Sequence, residues 1–399
     1  MAFLNNMLKI KSTPKYNDSI VGKRYIAHYP QTPTYSHNDE VRFLVENQSD
    51  FWLPCESYVN IEGYITKSPD ASVAKFVENG GAHLFIEARY LLNNVEIDSN
   101  KGVGVASTLK GLCSFTPNDR KMMEVAGWGD RAMVDNKFSL SIPLSSLFGF
   151  AEDFNKIIVS ARHDLIFTRA RHDKDALNSA TKDEASEIKI TRMIWYLPSV
   201  SVSDQARIEL FETINVDAAL KIPFRAWSYF KNPNVPTTTD FTWTITSLSS
   251  IERPRYAIVA FQTNKANSYA ARNDRFDNIK VTNLRVHLNS ENFPHVPMNL
   301  NYAHGNYVQA YQMFIDFQRS FYGRVNPTPC IDYKDFADNH AIYVIDCSMQ
   351  NESVKITNVD IRLEVQTSEA IAENTGCHCL IIHDRTVEYT PLSNAVRRI

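Results

Sequence analysis

Apolar and polar residues alternate over short runs along most of this chain. "DFTWTIT" places Phe241, Trp243 and Ile245 on one face and threonines on the other. "VDIRLEVQ" does the same with Val359, Ile361, Leu363 and Val365, and "KFSLSIPL" with Phe138, Leu140, Ile142 and Leu144. A period of two marks strands with one buried face. Pro143 places its strand at a sheet edge, because proline cannot donate to the ladder. "RPRYAIVAFQTNK", residues 253–265, reads as a buried strand with a turn-forming entry and a polar exit. Asn79-Gly80-Gly81 and Asn93-Asn94 supply hairpin-type turns.

Helical patterns are few. Thr116-Pro117 is an N-cap followed by proline at the first helical position, opening "NDRKMMEVAGW". "GNYVQAYQMFIDFQRSFYG" spaces Tyr307, Tyr311, Phe314, Phe317 and Phe321 three to four apart on one face. Such aromatics can stack nucleic-acid bases, but a helix docked on a sheet is the favoured reading.

The strand pattern repeats. Pro30 and Pro33 are echoed by Pro233 and Pro236, an offset of 203. "SYVNIEGYIT" from Ser57 aligns with "RYAIVAFQTN" from Arg255, and "ARYLLNN" from Ala88 with "LRVHLNS" from Leu284. The strand at Phe138 has its counterpart near Ala341, and "NKIIVSARHDLIFT" has one in "VKITNVDIRLEVQT". Ordered elements at near-constant spacing indicate duplication of a domain-sized unit. The boundary falls near residues 201–207. About eight strands per unit, with one helical insertion, leave too few helices for parallel crossovers. The expected fold is all-β: two tandem antiparallel eight-stranded jelly rolls, each with a short helical insertion. The expected division is an N-terminal arm over 1–24, a first jelly roll over 25–203, and a second over 204–399 with a C-terminal tail. The charged segment 171–187 reads as a long exposed loop.

Composition supports packed cores. The 399 residues are 44% hydrophobic and include 18 Tyr and 22 Phe, while only 13 are Gly. A net charge of −3 gives no global pull toward nucleic acid, so strong direct nucleic-acid binding is not expected. Six dispersed cysteines without a Cys-x-x-Cys pair, and no signal-peptide core in "MAFLNNMLKIK", point to free thiols in a reducing compartment and a product that is not secreted.

Candidate chemistry is sparse. His37-Asn38-Asp39 is the only close His-x-Asp, and it reads as turn chemistry rather than a metal site. His163-Asp164, His172-Asp173 and His383-Asp384 are adjacent pairs, which in a strand face opposite ways. In "GCHCLIIHD", Cys377 and Cys379 share a face as buried thiols, with His378 opposed. Gly102-x-Gly104 lacks the rest of a phosphate loop and reads as a turn before a weak helix. Asn351-Glu352-Ser353 matches a glycosylation acceptor only by pattern. No cofactor or metal site and no enzymatic activity is expected.

"RPRYAIVAFQT" and "HVPMNLNYAHGNYVQAY" resemble segments of the double jelly-roll major capsid proteins of DNA viruses, in the Maverick/Polinton–adintovirus-like branch. The resemblance runs from about Tyr25 to Thr390. It implies a trimer with six jelly rolls in a pseudo-hexagonal ring, tiling an icosahedral virion shell. It also implies contacts with neighbouring capsomers and with penton or minor capsid proteins. The chain is short for that family, which implies small loops and a low tower.

Subunit contacts are expected outside the sandwich cores. One candidate is the N-terminal arm, where Met7 and Leu8 belong to a short apolar face that fits a neighbouring subunit better than an internal membrane. Another is the segment 201–230 with Phe224, Trp227, Tyr229 and Phe230, aromatics that serve as protein-contact anchors or close the second sandwich. The C-terminal "NAVRRI" is a third. Two other readings stand behind the structural one: a lectin-like or other jelly-roll binding module, and a metal-dependent jelly-roll oxygenase centred on His37 and Asp39.

Overall fold

The computed structural model describes residues 19–46, 50–66, 75–129, 136–178, 186–216, 218–245, 253–350 and 359–399. The first unit contains β1 (Ile20–His28), β2 (Glu40–Val45), β3 (Tyr58–Thr66), β4 (Phe85–Leu92), β5 (Val95–Lys101), β6 (Lys137–Pro143), β7 (His163–Arg169) and β8 (Glu187–Val202). The second contains β9 (Leu220–Asn232), β10 (Asp240–Ile245), β11 (Pro254–Thr263), β12 (Val281–Leu288), β13 (Glu291–Phe293), β14 (Ile342–Asp346), β15 (Ile361–Thr367) and β16 (Thr375–Thr390). Six helices accompany them among the described residues: α1 (Val103–Ser114), α2 (Pro117–Met122), α3 (Gly149–Asp153), α4 (Asp204–Asn215), α5 (Val308–Tyr322) and α6 (Tyr333–Asn339).

Each unit is a sandwich of two antiparallel sheets. In the first, the strand orders are β1-β8-β3-β6 and β2-β7-β4-β5. In the second they are β9-β16-β11-β14 and β10-β15-β12-β13. Adding eight to each label of the first unit reproduces the second. This is the jelly-roll order, and the duplication expected from the repeats is present. The helices α1 and α2 fall between β5 and β6, and α5 and α6 fall in the equivalent place between β13 and β14. Pro30 and Pro33 lie between β1 and β2, and Pro233 and Pro236 between β9 and β10, in equivalent connections.

Local chemistry explains the elements. Asn93 and Asn94 both take positive φ (48° and 66°) in the tight β4–β5 hairpin, a conformation asparagine tolerates better than most residues. Pro143 sits on β6, an edge strand, where its missing N–H costs no ladder bond. The side chain of Thr116 accepts from the Asp119 N–H while Asp119 accepts from the Thr116 N–H, a reciprocal cap for α2. Inward residues such as Val59, Ile61, Phe43, Tyr90 and Phe167 fill the first sandwich, and Val259, Phe261, Leu363 and Ile381 the second.

Several local expectations are corrected. Residues 20–24, expected in the arm, already pair with β8 from Ile20 onward. The 201–230 segment is a helix and a strand: α4, capped by Ser203, and then β9. Its apolar residues lack a strong helical period because Ile208 and Phe211 stay exposed while Leu210 and Ile214 pack against Phe51, Val159 and Val200. Helix α1 is longer than the weak helix expected after Gly102. It is buried on nearly all sides, so no amphipathic period marks it. Segment 171–187 is not uniformly exposed, since Asp173 is buried against Arg169 and accepts from the Ile188 N–H at 2.7 Å. Residues 179–185 of that segment lie outside the described residues.

Candidate assembly surfaces

The two sandwiches meet along a tight seam. Strand β5, the edge of one sheet in the first sandwich, lies against β9, the edge of one sheet in the second. Helix α3 also packs on β9. A Cβ added to Gly149 would fall 1.8 Å from the carbonyl oxygen of Arg225, so only glycine permits this approach. Gly102, at φ 65°, starts α1 with the ring of Tyr229 directly over it.

Lys110 of α1 is the polar centre of the seam. Its Nζ donates to both carboxylate oxygens of Glu152 (2.8 and 3.0 Å) and bonds the hydroxyl of Tyr322 at 2.7 Å. It also lies 4.3 Å from the ring centroid of Phe321 and 5.0 Å from that of Trp227. Burial alone lowers the Lys110 pKa, but Glu152 and Tyr322 outweigh it and hold the pKa above its ordinary value. The charge is therefore retained inside the protein, satisfied by groups from both sandwiches.

Four ion pairs cross the seam among the described residues, and each runs in the same direction. Arg225 meets Asp153 at 2.6 Å, Arg324 meets Asp119 at 3.3 Å, Arg385 meets Asp98 at 3.7 Å, and Arg398 meets Glu96 at 3.2 Å. Every arginine belongs to the second sandwich and every carboxylate to the first. The seam thus distinguishes its two sides by charge, which favours one pairing over like-with-like. Asp98 is fully buried and accepts from the Phe150 N–H at 2.9 Å. Burial raises its pKa to about 6, against the opposing pull of Arg385 and backbone N–H donors.

A family model described as a double jelly roll-like domain matches residues 74–387 of this chain. The chain belongs to the double jelly roll-like domain family. No curated protein sequence matches it. Among solved structures, this double jelly roll is similar to the chain of the PBCV-1 virus capsid, with a TM-score of 0.64 and 11% identity over 98% of each chain. It is similar to the Faustovirus major capsid protein, with a TM-score of 0.61 and 9% identity over 97% of this chain and 94% of that one. It also resembles the mavirus major capsid protein, with a TM-score of 0.57 and 9% identity over 98% of this chain and 92% of that one. At these identities the likeness is one of fold, and it does not single out the Maverick/Polinton–adintovirus branch.

The residues picked out by sequence have definite places in this double jelly roll. Phe224 and Trp227 are only 4% and 3% exposed. The ring of Phe224 meets Phe150 of α3 at 5.7 Å, while Trp227 faces Lys110. Both are covered within one chain, so neither ring is a free surface for a neighbour. Tyr229 and Phe230 are half-buried, and the Tyr229 hydroxyl bonds Nδ1 of His378 at 2.6 Å. Met7 and Leu8 lie outside the described residues, as does Asn351-Glu352-Ser353. The C-terminal residues Ala395–Arg398 add a short strand to β16, and Arg398 reaches the Glu96 carbonyl at 2.7 Å.

The chemical candidates resolve into structural roles. His37 approaches Asp173 at 3.5 Å, and Asp39 accepts from the Ser36 N–H at 2.8 Å, a turn contact. No group of three or more metal-ligating side chains is clustered among the described residues. Cys377 and Cys379 are buried thiols on the inner face of β16, and burial pushes the Cys379 pKa up to about 12. His378 faces the other way, and burial takes its pKa down to about 3. His163 bonds Tyr90, whereas its neighbour Asp164 pairs with Arg42. Helix α5 docks on a sheet as expected, with Phe317 and Phe321 against Tyr256 of β11.

Sequence reading missed the seam hub and one exposed surface. Lys110, Glu152 and Tyr322 come together across 42 and 212 positions, and no local pattern announces that meeting. The surface is the outer face of β1-β8-β3. There Tyr25 and Tyr58 lie 5.6 Å apart, and Tyr58 stacks on Tyr196 at 5.1 Å. Arg192 sits 5.9 Å from the ring of Tyr29 at its margin. The signal was available in the alternate aromatics of "KRYIAHY", residues 23–29.

Proposed function

We propose that this chain is a structural capsid subunit, a major capsid protein whose trimers present six jelly rolls in a pseudo-hexagonal ring and tile an icosahedral shell. The observation that carries this reading is the duplicated strand order, joined by a charged, close-packed seam into one block. Two similar wedges fixed side by side are the unit from which three copies close a six-membered ring. The similarity in fold to viral major capsid proteins over nearly the whole chain supports the same role. The reading assigns the chain no catalytic step. It places the protein in virions, made in the host cell and not secreted. Neighbouring capsomers are its main partners, with penton or minor capsid proteins at special positions. The genome is left to other proteins, since a net charge of −3 offers little for phosphate binding. The arm with Met7 and Leu8 contacts a neighbouring subunit or an internal membrane.

Light scattering coupled to size exclusion tests the reading. A mass of three times the 45.5 kDa chain is expected at micromolar concentration. A stable monomer under the same conditions would refute it.

A further inference from the structure

Helix α4 has two apolar sides. Leu210 and Ile214 pack against Phe51, Val159 and Val200 under the first sandwich. On the side turned away from the sandwich, Ile208 is 60% exposed, Phe211 43% and Val216 77%. Ile20 and Val21, at the start of β1, are also exposed. Single exposed apolar residues are ordinary, but a ridge of them along one helix suits a covering segment.

The topology names that segment. Strands β1 and β8 are antiparallel, with Ile20 opposite Val202, so the chain entering β1 runs beside the chain leaving β8 into α4. The Ser203 N–H donates to the Ser19 carbonyl at 2.9 Å, and Ser203 is the N-cap of α4. Residue 18 and those before it therefore start at the N-terminus of this helix. The reach also fits, since extended chain advances about 3.3 Å per residue and helix about 1.5 Å. On those figures Tyr16 comes level with Ile208 and Phe211, about 10 Å along, and Lys15 level with Glu212, about 13 Å along.

The charges are complementary. Helix α4 carries Asp204, Glu209 and Glu212 against Arg207, and Glu209 and Glu212 are exposed. The arm carries Lys9, Lys11 and Lys15 against Asp18. The Arg207 guanidinium lies 5.6 Å from the Phe211 ring, which leaves Glu209 and Glu212 to meet the lysines.

We infer that residues 12–18 dock on the exposed ridge of α4 in the same chain, with Tyr16 and Pro14 along Ile208 and Phe211 and Lys15 beside Glu212. The helix then serves as a rail for the arm. It delivers the apolar residues around Met7 and Leu8 beyond the C-terminal end of α4. The docking goes beyond the capsomer reading and does not depend on it, whichever surface the apolar residues then meet.

Carbodiimide coupling of the full chain tests the contact without any variant. Mass spectrometry of the single-chain band from a denaturing gel is expected to find Lys15 linked to Glu209 or Glu212. The exposed pair Lys23–Glu56 is the positive control. Coupling at the control without any Lys15 link to α4 would overturn the inference. A Lys15 link found only in the two-chain band would do the same, by placing the arm on a second copy. Limited trypsin digestion of Ile208→Asp/Phe211→Asp gives a second readout. Cleavage after Lys15 should be about tenfold faster than in the parent, while cleavage after Lys9 and the far-ultraviolet circular dichroism stay unchanged. Equal rates after Lys15 in parent and variant would contradict the docking. The mass measured by light scattering judges the capsomer reading separately.

Discussion

The outer sheet faces of the two sandwiches share a strand order and differ in chemistry. In the second sandwich the face runs through Trp227, Tyr229, Leu380 and Ile258, and it is roofed by α1, α3 and α5. In the first it runs through Tyr25, Tyr29, Tyr58 and Tyr196, and among the described residues nothing roofs it. The difference shows how a duplicated domain acquires direction. One copy of a surface became a permanently buried seam, while the other kept hydroxylated rings compatible with water. The helices took part in the same divergence. Although α1 and α5 occupy equivalent places in the chain, α1 lies in the seam and α5 lies across the sheet of its own sandwich.

Substitutions at the seam and at the open face separate these roles. The largest effect is expected at Trp227, where Trp227→Ala should lose about 3–4 kcal/mol from the cavity it leaves. Lys110→Ala leaves the half-buried Glu152 without its cation and should cost up to about 3 kcal/mol in chemical denaturation, the lower end of what breaking one side of a buried pair costs. Lys110→Met combined with Glu152→Gln should recover part of that loss. If Lys110→Ala melts like the parent, the hub does not hold the sandwiches together.

On the open face, Tyr25→Ala should change monomer stability by less than about 0.5 kcal/mol, because an exposed ring has little packing to lose. Equal effects at Trp227 and Tyr25 would break the comparison.

Acid should act mainly on buried histidines, two of which lie in the second sandwich. Burial lowers the pKa of His163 and His378 to about 3 and of His383 to about 4. These folded values lie below the unfolded one of about 6.5, so the unfolded chain binds more protons as pH falls. The stability they confer is complete above about pH 6.5, and each histidine should forfeit about 2 kcal/mol by pH 5. Asp98 opposes this trend. Its raised pKa favours the folded chain as pH drops through about 6, by roughly 1 kcal/mol at pH 5. A denaturation series from pH 7 to 5 should therefore show a net loss, and His378→Gln should reduce its slope. A pH-independent midpoint would contradict the assignment.

The strands were legible because burial on one face leaves a period of two, as in Phe241, Trp243 and Ile245, and because duplication repeated that pattern at constant spacing. Caps and turns were legible where one residue type is needed, as at Thr116 and Asn93-Asn94. Helix α1 was underestimated because burial on all sides erases its period. Asp173 was read as solvated because its neighbours are charged, yet the Arg169 guanidinium makes its burial tolerable. The aromatics at 224–230 carry two readings in the sequence, subunit contact or closure of the second sandwich, and neither names their partner. That partner is the first sandwich of the same chain, which no linear pattern specifies. The tyrosine face was hidden for the opposite reason, since buried rings and exposed rings look alike in a sequence.

The central claim of the proposed function is that three chains close a ring of six similar jelly rolls. Electron microscopy of the purified protein, viewed down the ring axis, tests it most directly. The account predicts face-on averages with six lobes at near-equal spacing and threefold symmetry. Averages with two lobes, as a single chain would give, would contradict it.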